Sequence, residues 1–422
     1  MRTLALIDGE HYPATVRDAL EELPYEFVGA LMMGGTEKLR GDTDYGVPLY
    51  DDFDAALGAL EPELVLDLSD EPVLGPAARL RLASRVLAAG IPYAGADFRI
   101  EPPELGAFPL PSLSVFATGK RVGKTAVSAH IARLLARDRD VVAVAMGRGG
   151  PQAPEVMESR PGVEELLALA RDGRHAASDH LEIAATAGVV TVGCRRCGGG
   201  LAGAVATSNV GAGAEVALQR SPDFVVFDGS GAAIPPVATG RRVLVTTAYD
   251  PPELVTGYLN AYRILLADLV VITMADASTG HEALADAIRE VNPEAQVIAV
   301  GFRPQPLRPV AGKRVAYFAT ARAPAHPRLA AELAELGAEV VHVSGSLADR
   351  TALRRELDGV DAEVFLTEIK AAAIDVVADA GATRGIDVVL VANELVPVAG
   401  QPELEPALLA LADQAQAEPV GT

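Results

Sequence analysis

Apolar residues in this chain fall into two alternating patterns. Short, nearly unbroken runs suit strands covered on both faces. Between them lie longer stretches whose apolar positions recur every three or four residues, the period of a helix with one buried side. In the first hundred residues the runs at 4–8, 26–33, 64–68 and 91–93 predict strands, and the stretches at 14–23, 53–60 and 77–89 predict helices. Strands are predicted again at 113–117, 141–145, 189–192, 224–227, 243–246, 269–273 and 296–300, then at 315–319, 339–343, 363–366 and 387–392. Strand and helix in strict turn is the mark of βα units, so the predicted fold class is α/β, with mainly parallel sheets and flanking helices.

Two stretches interrupt the rhythm. Residues 101–111 hold four prolines and no periodicity, and 303–314 is basic and proline-rich. Both read as boundaries. They divide the chain into a Rossmann-like N-terminal domain at 1–101, a larger domain at 112–302 and a smaller C-terminal α/β subdomain at 313–413, with 414–422 expected to be a frayed tail.

Composition narrows the partners. The chain has 422 residues, half of them hydrophobic and 22% charged, which suits folded cores over most of its length. Its formal net charge of −21 repels nucleic acid and anionic lipid surfaces, so neither is an expected partner and any anionic ligand needs a local basic pocket. No apolar run approaches the roughly 20 residues of a membrane helix. With two cysteines and a start that runs directly into a strand, the expected location is cytoplasmic. A homo-oligomer, taken as a dimer, is the expected assembly.

The sharpest chemical signal follows the predicted strand 113–117. Thr118-Gly119-Lys120-Arg121-Val122-Gly123-Lys124-Thr125 leads into an Ala/Leu-rich helical pattern at 126–137. Strand, glycine loop and helix in that order let backbone N–H groups converge on a polyphosphate, with the positive end of the helix behind them. Gly119, Lys120, Arg121, Val122, Gly123, Lys124 and Thr125 are therefore the expected ATP-binding residues, and 112–302 is read as a P-loop NTPase domain. Lys124 would reach the β- and γ-phosphates, and the Thr125 hydroxyl would face Mg²⁺. Thr118 stands where the usual pattern has its first glycine. Lys124 is read as a loop lysine, with little stability to lose on its removal. Lys120 and Arg121 are either a solvated surface or added charge for a transferring phosphoryl group. Asp228 ends the apolar run 224–227 and is the expected carboxylate on the metal side.

Other candidates are cationic. Gly193-Cys194-Arg195-Arg196-Cys197-Gly198-Gly199-Gly200 reads as a glycine nest with two guanidinium groups for phosphate or carboxylate, or as a plain turn. One Cys-x-x-Cys pair is short of the four ligands of a zinc site. Arg148, after the strand 141–145, is a candidate both for catalysis and for substrate. In the N-terminal domain three strand ends carry polar clusters, from which His11 and Lys38 are candidate anion contacts, and Lys370 follows the strand 363–366 in the same manner. The segment Ser178-Asp179-His180-Leu181-Glu182 is either a capped, solvated helix start or a base or metal site.

Taken together, Ile7-Asp8-Gly9-Glu10-His11-Tyr12-Pro13, Gly34-Gly35-Thr36-Glu37-Lys38-Leu39, the loop 118–125 and the segment 193–203 resemble the cyclic 2,3-diphosphoglycerate synthetase family. The resemblance runs nearly end to end. It implies a ligase that uses ATP to close a phosphoanhydride between the two phosphates of 2,3-bisphosphoglycerate, releasing ADP and phosphate, with Mg²⁺ and a cytoplasmic location. Lys120, Lys124, Arg148 and Asp228 are then the expected catalytic set. Arg148, Arg195, Arg196, Lys38, His11 and Lys370 are the expected substrate contacts, and Thr125 and Asp228 the metal ligands. A P-loop ligase that activates a carboxylate as an acyl phosphate is one alternative. A nucleotide-switched metallochaperone using Cys194 and Cys197 is another.

Overall fold

The computed structural model describes residues 1–39, 44–278 and 280–418. The chain forms two compact units. The first holds residues 1–103, 252–266 and 290–293, and the second holds 104–251, 267–289 and 294–422. In chain order the first unit begins with β1 (Arg2–Ile7), α1 (Pro13–Glu22), β2 (Glu26–Met32), β3 (Leu49–Tyr50), α2 (Phe53–Leu60), β4 (Leu64–Asp67), α3 (Pro76–Ala88), β5 (Tyr93–Ala94) and β6 (Arg99–Ile100). Its sheet runs β3-β2-β1-β4-β5-β6, parallel except for the β5–β6 pair. The predicted run 91–93 starts later, at Tyr93. Pro92 has no N–H to give, and its carbonyl accepts from the Val65 N–H at 3.0 Å.

The second unit opens with β7 (Ser112–Ala117), α4 (Lys124–Leu135), β8 (Val141–Gly147), β9 (Glu155–Met157), α5 (Val163–Arg171), α6 (Asp179–Ala187), β10 (Val190–Cys197), β11 (Thr207–Ser208), α7 (Val210–Leu218), β12 (Phe224–Asp228) and β13 (Arg241–Thr247). Helices α8 (Pro252–Val255) and α9 (Asn260–Leu265) belong to the first unit. The chain then continues with β14 (Leu269–Thr273), α10 (His281–Val291), β15 (Gln296–Pro306), β16 (Arg314–Phe318), α11 (His326–Glu335), β17 (Glu339–Ser344), α12 (Arg350–Gly359), β18 (Val364–Thr367), α13 (Asp379–Arg384), β19 (Asp387–Pro397) and α14 (Leu404–Ala417).

One sheet carries all of the second unit's strands in the order β11-β10-β8-β12-β7-β13-β14-β15-β19-β18-β16-β17, with β9 beside β10. It is mostly parallel, and the antiparallel pairs are β9–β10, β10–β11 and β15–β19. Burial on both faces explains the unbroken apolar runs. On β8, Val141, Ala143 and Ala145 join a core with α4 and α6, while Val142, Val144 and Met146 join another with α7.

The basic, proline-rich stretch at 303–314 reads as a boundary, and strand structure runs into it: β15 continues through Pro304 to Pro306, paired with β19. Its pairing with β14 ends at Ala299, so both prolines stand where one flank needs no N–H donor. The tail is also more ordered than expected. Helix α14 runs to Ala417, Ala415 is fully buried, and the Gln414 side chain accepts a hydrogen bond from Arg241 Nε at 3.2 Å. Residues 419–422 lie outside the described residues.

Candidate functional site

Strand β7 is buried along its whole length, between β12 and β13, and delivers the loop 118–123 to the carboxyl edge of the sheet. Both ends of that loop are pinned. The Thr118 N–H donates to the Val245 carbonyl at 3.1 Å, and its hydroxyl donates to Thr246 Oγ1 at 3.0 Å. A threonine in place of the usual first glycine thus ties the loop to β13. At the far end the Thr273 hydroxyl donates to the Val122 carbonyl at 2.7 Å. Gly123 takes φ +84°, and a Cβ there would stand 2.5 Å from the Phe302 ring, so a side chain here is strained and would have to displace that ring. Arg121 also lies in the left-handed region, at φ 62°.

Gly123 is the N-cap of α4, which has no side-chain cap and no acidic residue in its first turn. Its first N–H groups are therefore left to a ligand, and the helix dipole favours an anion there. Lys124 is the first residue of α4. Its Nζ lies 2.5 Å from Asp228 Oδ1, and only 8% of its side chain is exposed. The Ser128 hydroxyl, one turn along α4, donates to the same carboxylate oxygen. Burial pushes the Asp228 carboxyl up, while the Lys124 ammonium and the Ser128 hydroxyl favour its ionised form. Its other oxygen, Oδ2, is buried without a hydrogen-bond partner. An unmet carboxylate oxygen in the unit that carries the half-buried Thr125 hydroxyl is an all-oxygen donor set, which fits a hard divalent cation.

The arginines gather on the neighbouring strand ends. The segment expected as a glycine loop from 193 is strand as far as Cys197, held by β8 through the Arg195–Gly147 pair and by β11 through the pairs Arg196–Ser208 and Cys197–Thr207. A strand turns successive side chains to opposite faces, so Arg195 and Arg196 do not form one fork. Arg195 is exposed. Arg196 donates to the Gly198 carbonyl at 2.6 Å and to the Ser230 carbonyl at 2.9 Å, and its Nε is buried without a partner. Burial, then the charge of Arg148, holds the Arg196 guanidinium below its ordinary value. Next to Ser230, the Gly231 carbonyl accepts from the Ala117 N–H, and a Cβ on Gly231 would stand 3.6 Å from the carbonyl oxygen of Gly119 and from Lys120 Cγ. Lys120, Arg196 and Arg148 thus border the same edge as Lys124 and Asp228. The two cysteines are separated by the same alternation. Cys194 is buried, its thiol pushed up to about 12 by burial, whereas Cys197 is exposed.

Lys370 lies elsewhere, in a buried carboxylate cluster. Its Nζ is 3.8 Å from Glu182 Oε1 on α6. Burial works against the Lys370 ammonium, but Glu368, then Glu182 and Asp179, outweigh it and hold the amine above its ordinary value. Glu368 accepts from the Thr320 N–H at 3.0 Å, the Thr320 hydroxyl at 2.9 Å and Asn393 Nδ2 at 3.0 Å. Glu182 has the distant Lys370 as its cation, and burial pushes its carboxyl up to about 7. Of the segment 178–182, His180 and Glu182 are buried rather than solvated, because α6 lies against α4. Asp179 at its start acts electrostatically on Asp228, Arg196, Glu182 and Lys370. Sequence could place an acid at a helix start with Glu182 one turn on, but not that Arg196, Asp228 and Lys370, from three other parts of the chain, would feel its charge.

In the first unit the ends of β1 and β4 are built on two aspartates. Asp8 is fully buried and accepts from the N–H groups of Glu10, His11 and Asp70, and its Oδ1 lies 2.8 Å from His11 Nδ1. His11 Nε2 is 3.5 Å from Asp70 Oδ2. Asp67 binds Ser69, Tyr93 and Arg79. Lys38 closes a 3₁₀ turn, Thr36–Lys38, and its side chain lies outside the described residues.

Three family models match the chain in succession. They are described as the N-terminal domain of cyclic 2,3-diphosphoglycerate synthetase, over residues 2–101, its P-loop domain, over 112–300, and its C-terminal domain, over 306–394. The cyclic 2,3-diphosphoglycerate synthetase of Rubrobacter xylanophilus is 51% identical, with 98% of this chain and 97% of that protein aligned. The Pyrococcus furiosus protein of the same name is 42% identical, over 97% of each. Among solved structures, LpxK from Aquifex aeolicus in complex with ATP is similar at 16% identity and a TM-score of 0.43, covering 80% of this chain and 94% of that one.

Proposed function

The chain belongs to the cyclic 2,3-diphosphoglycerate synthetase family, and from that premise we propose that it joins the two phosphates of 2,3-bisphosphoglycerate into a cyclic anhydride at the expense of ATP. ATP and 2,3-bisphosphoglycerate give the cyclic product, ADP and inorganic phosphate. The observation that carries the reading is the arrangement of Lys124, Ser128 and Asp228 at the start of α4, beside the bordering cations Lys120, Arg148 and Arg196. A substrate with two phosphates and a carboxylate repels the polyphosphate it must approach, and only fixed local cations offset that repulsion.

Residues 119–125 hold the phosphates of ATP through backbone N–H groups, and Lys124 swings from Asp228 toward the β- and γ-phosphates. Lys120 and Arg148 stabilise the phosphoryl group in transit. One substrate phosphate takes the γ-phosphoryl group and becomes a diphosphate. The second substrate phosphate attacks the inner phosphorus, the anhydride forms, and inorganic phosphate leaves with the bond electrons. Arg196 is the oriented cation for the substrate, with its guanidinium plane set by two carbonyls, and exposed Arg195 adds longer-range attraction. His11 and Lys38 are the first unit's own candidate anion contacts. Lys370 neutralises Glu368 and Glu182 and so acts by fixing α6. Thr125 and Asp228 would hold Mg²⁺, which supplies charge neutralisation on the phosphates when bound. The protein is a cytoplasmic homodimer without nucleic-acid partners in this reading; among the described residues, no helix is long and apolar enough to cross a membrane.

Phosphorus NMR of the enzyme with ATP, Mg²⁺ and 2,3-bisphosphoglycerate tests the proposal. A new anhydride resonance, rising with ADP and phosphate in equal amounts, is the expected result. ADP formed without that resonance, or only when an amine is added, would transfer the protein to the acyl-phosphate ligases. The separation of Cys194 from Cys197 across the strand leaves the metallochaperone without its paired thiolates.

A further inference from the structure

Strands β16 and β17 run parallel, and their carboxyl ends open onto a crevice of ≈ 420 Å³ that contains no residue of the phosphate loop. That volume is within the range of about 300–1,000 Å³ for small-molecule sites, and this is the edge at which open α/β sheets take ligands. Three side chains able to carry positive charge line it, Arg322, His326 and His342. In a chain of net charge −21 such a grouping runs against the average field.

Each of the three is held in place. The Arg322 guanidinium stacks over the Tyr249 ring at 4.6 Å. His326 Nε2 is 3.2 Å from the Ala321 carbonyl oxygen, and His342 Nε2 is 3.2 Å from Glu356 Oε2. Glu356, the one acid among the described residues lining the crevice, also accepts the Ser346 hydroxyl, and the Asp250 carboxylate interacts with Arg322. Burial raises its carboxyl, but hydrogen bonds from Ser344, Ser346 and His342 outweigh that and keep it below its ordinary value, so its charge is spent on organising the wall. The turn 320–325 contains no glycine. Its backbone therefore cannot close on a pyrophosphate as a glycine-rich dinucleotide loop does, and recognition falls to side chains.

We propose that this crevice at the ends of β16 and β17 is a second anion site, separate from the phosphate loop, that takes a small phosphate monoester through Arg322, His326 and His342. It does not depend on the reaction assigned above. Thr320, which lines it, donates both N–H and hydroxyl to Glu368, so the crevice wall is continuous with the cluster around Lys370.

Calorimetric titration of the full chain with 2,3-bisphosphoglycerate in the absence of ATP tests the site. Wild type should take up one equivalent more than the Arg322→Ala, His342→Gln double variant, or bind that equivalent at least about tenfold more tightly. The single His326→Gln variant should weaken the same equivalent. Arg196→Ala should leave it in place, which separates this site from the one at the phosphate loop. An unchanged melting temperature and unchanged MgATP binding in the crevice variants would exclude a folding defect. Equal uptake and equal affinity in wild type and double variant would overturn the proposal, as would wild type taking up no equivalent at all.

Discussion

An ammonium and a carboxylate buried together at 2.5 Å, as Lys124 and Asp228 are, stabilise the fold only while both are present. Removing one leaves the other charged and unsolvated, at a cost of about 3–5 kcal/mol. Lys124→Ala should therefore do two things: lower turnover at least about a hundredfold, by removing the cation from the phosphates, and lower stability by that amount. Adding Asp228→Asn should restore most of the stability and none of the activity. Chemical denaturation of the three proteins beside their initial rates checks this. A single variant as stable as wild type would mean that Asp228 does not depend on the lysine. From sequence, Lys124 read as a loop residue with little to lose, because a Gly-Lys-Thr string shows the loop but not the strand 104 residues later that closes over the amine. Asp228 was legible as a strand-end acid. Ser128, on the same oxygen, was not, since a serine inside a helical pattern carries no signal of where its hydroxyl points.

At the scale of elements, α6 shows how packing decides chemistry. Its polar start resembles a solvated helix face, yet contact with α4 buries Glu182 and lifts its carboxyl to about 7 from 4.5. A carboxyl that binds its proton more tightly folded than unfolded loses stability as pH rises from 4.5 through 7, and the loss is complete above that. The penalty is on the order of 3 kcal/mol. Glu182→Gln, which carries no charge to desolvate, should match wild type most closely in stability below pH 4.5. It should gain on wild type up to pH 7 and keep a constant lead beyond. Lys370 retains Glu368 as counter-ion in that variant. Melting curves across pH 4 to 8 check it, and a gap that stays flat over the range would show that Glu182 is already ionised in the fold. Strand β10 makes the complementary point. The string Gly-Cys-Arg-Arg-Cys-Gly reads as a loop by its glycines, but hydrogen bonds to β8 and β11 extend the strand through it and so divide Arg195 from Arg196 and Cys194 from Cys197.

Across the whole molecule, the last helix is built into the core of the phosphate-binding half. Leu404, Leu408, Leu411, Ala412 and Ala415 of α14 share one hydrophobic cluster with residues of β7, α4 and β13, and Arg137 and Arg139, in the turn after α4, pair with Glu405 and Asp413. Leu408 is fully buried, and Leu408→Ala should cost about 2–5 kcal/mol, a large part of the stability of an ordinary domain. The loss should appear as a lower melting temperature and, at temperatures where the variant is folded, an unchanged affinity for MgATP. A melting temperature equal to that of wild type would detach α14 from that core. What the sequence determined by itself was whatever is local: the α/β rhythm, because strand and helix periods are read over a few residues, and the phosphate loop, because strand, glycines, Lys-Thr and helix are contiguous. Only the tertiary structure decided the order of strands, the continuation of β15 through its prolines, the burial of Lys124 and Glu182, and the return of α14. Each of these depends on a partner far along the chain, and hydrogen-bond pairing and exclusion of water are set by which surfaces meet, which no local pattern records.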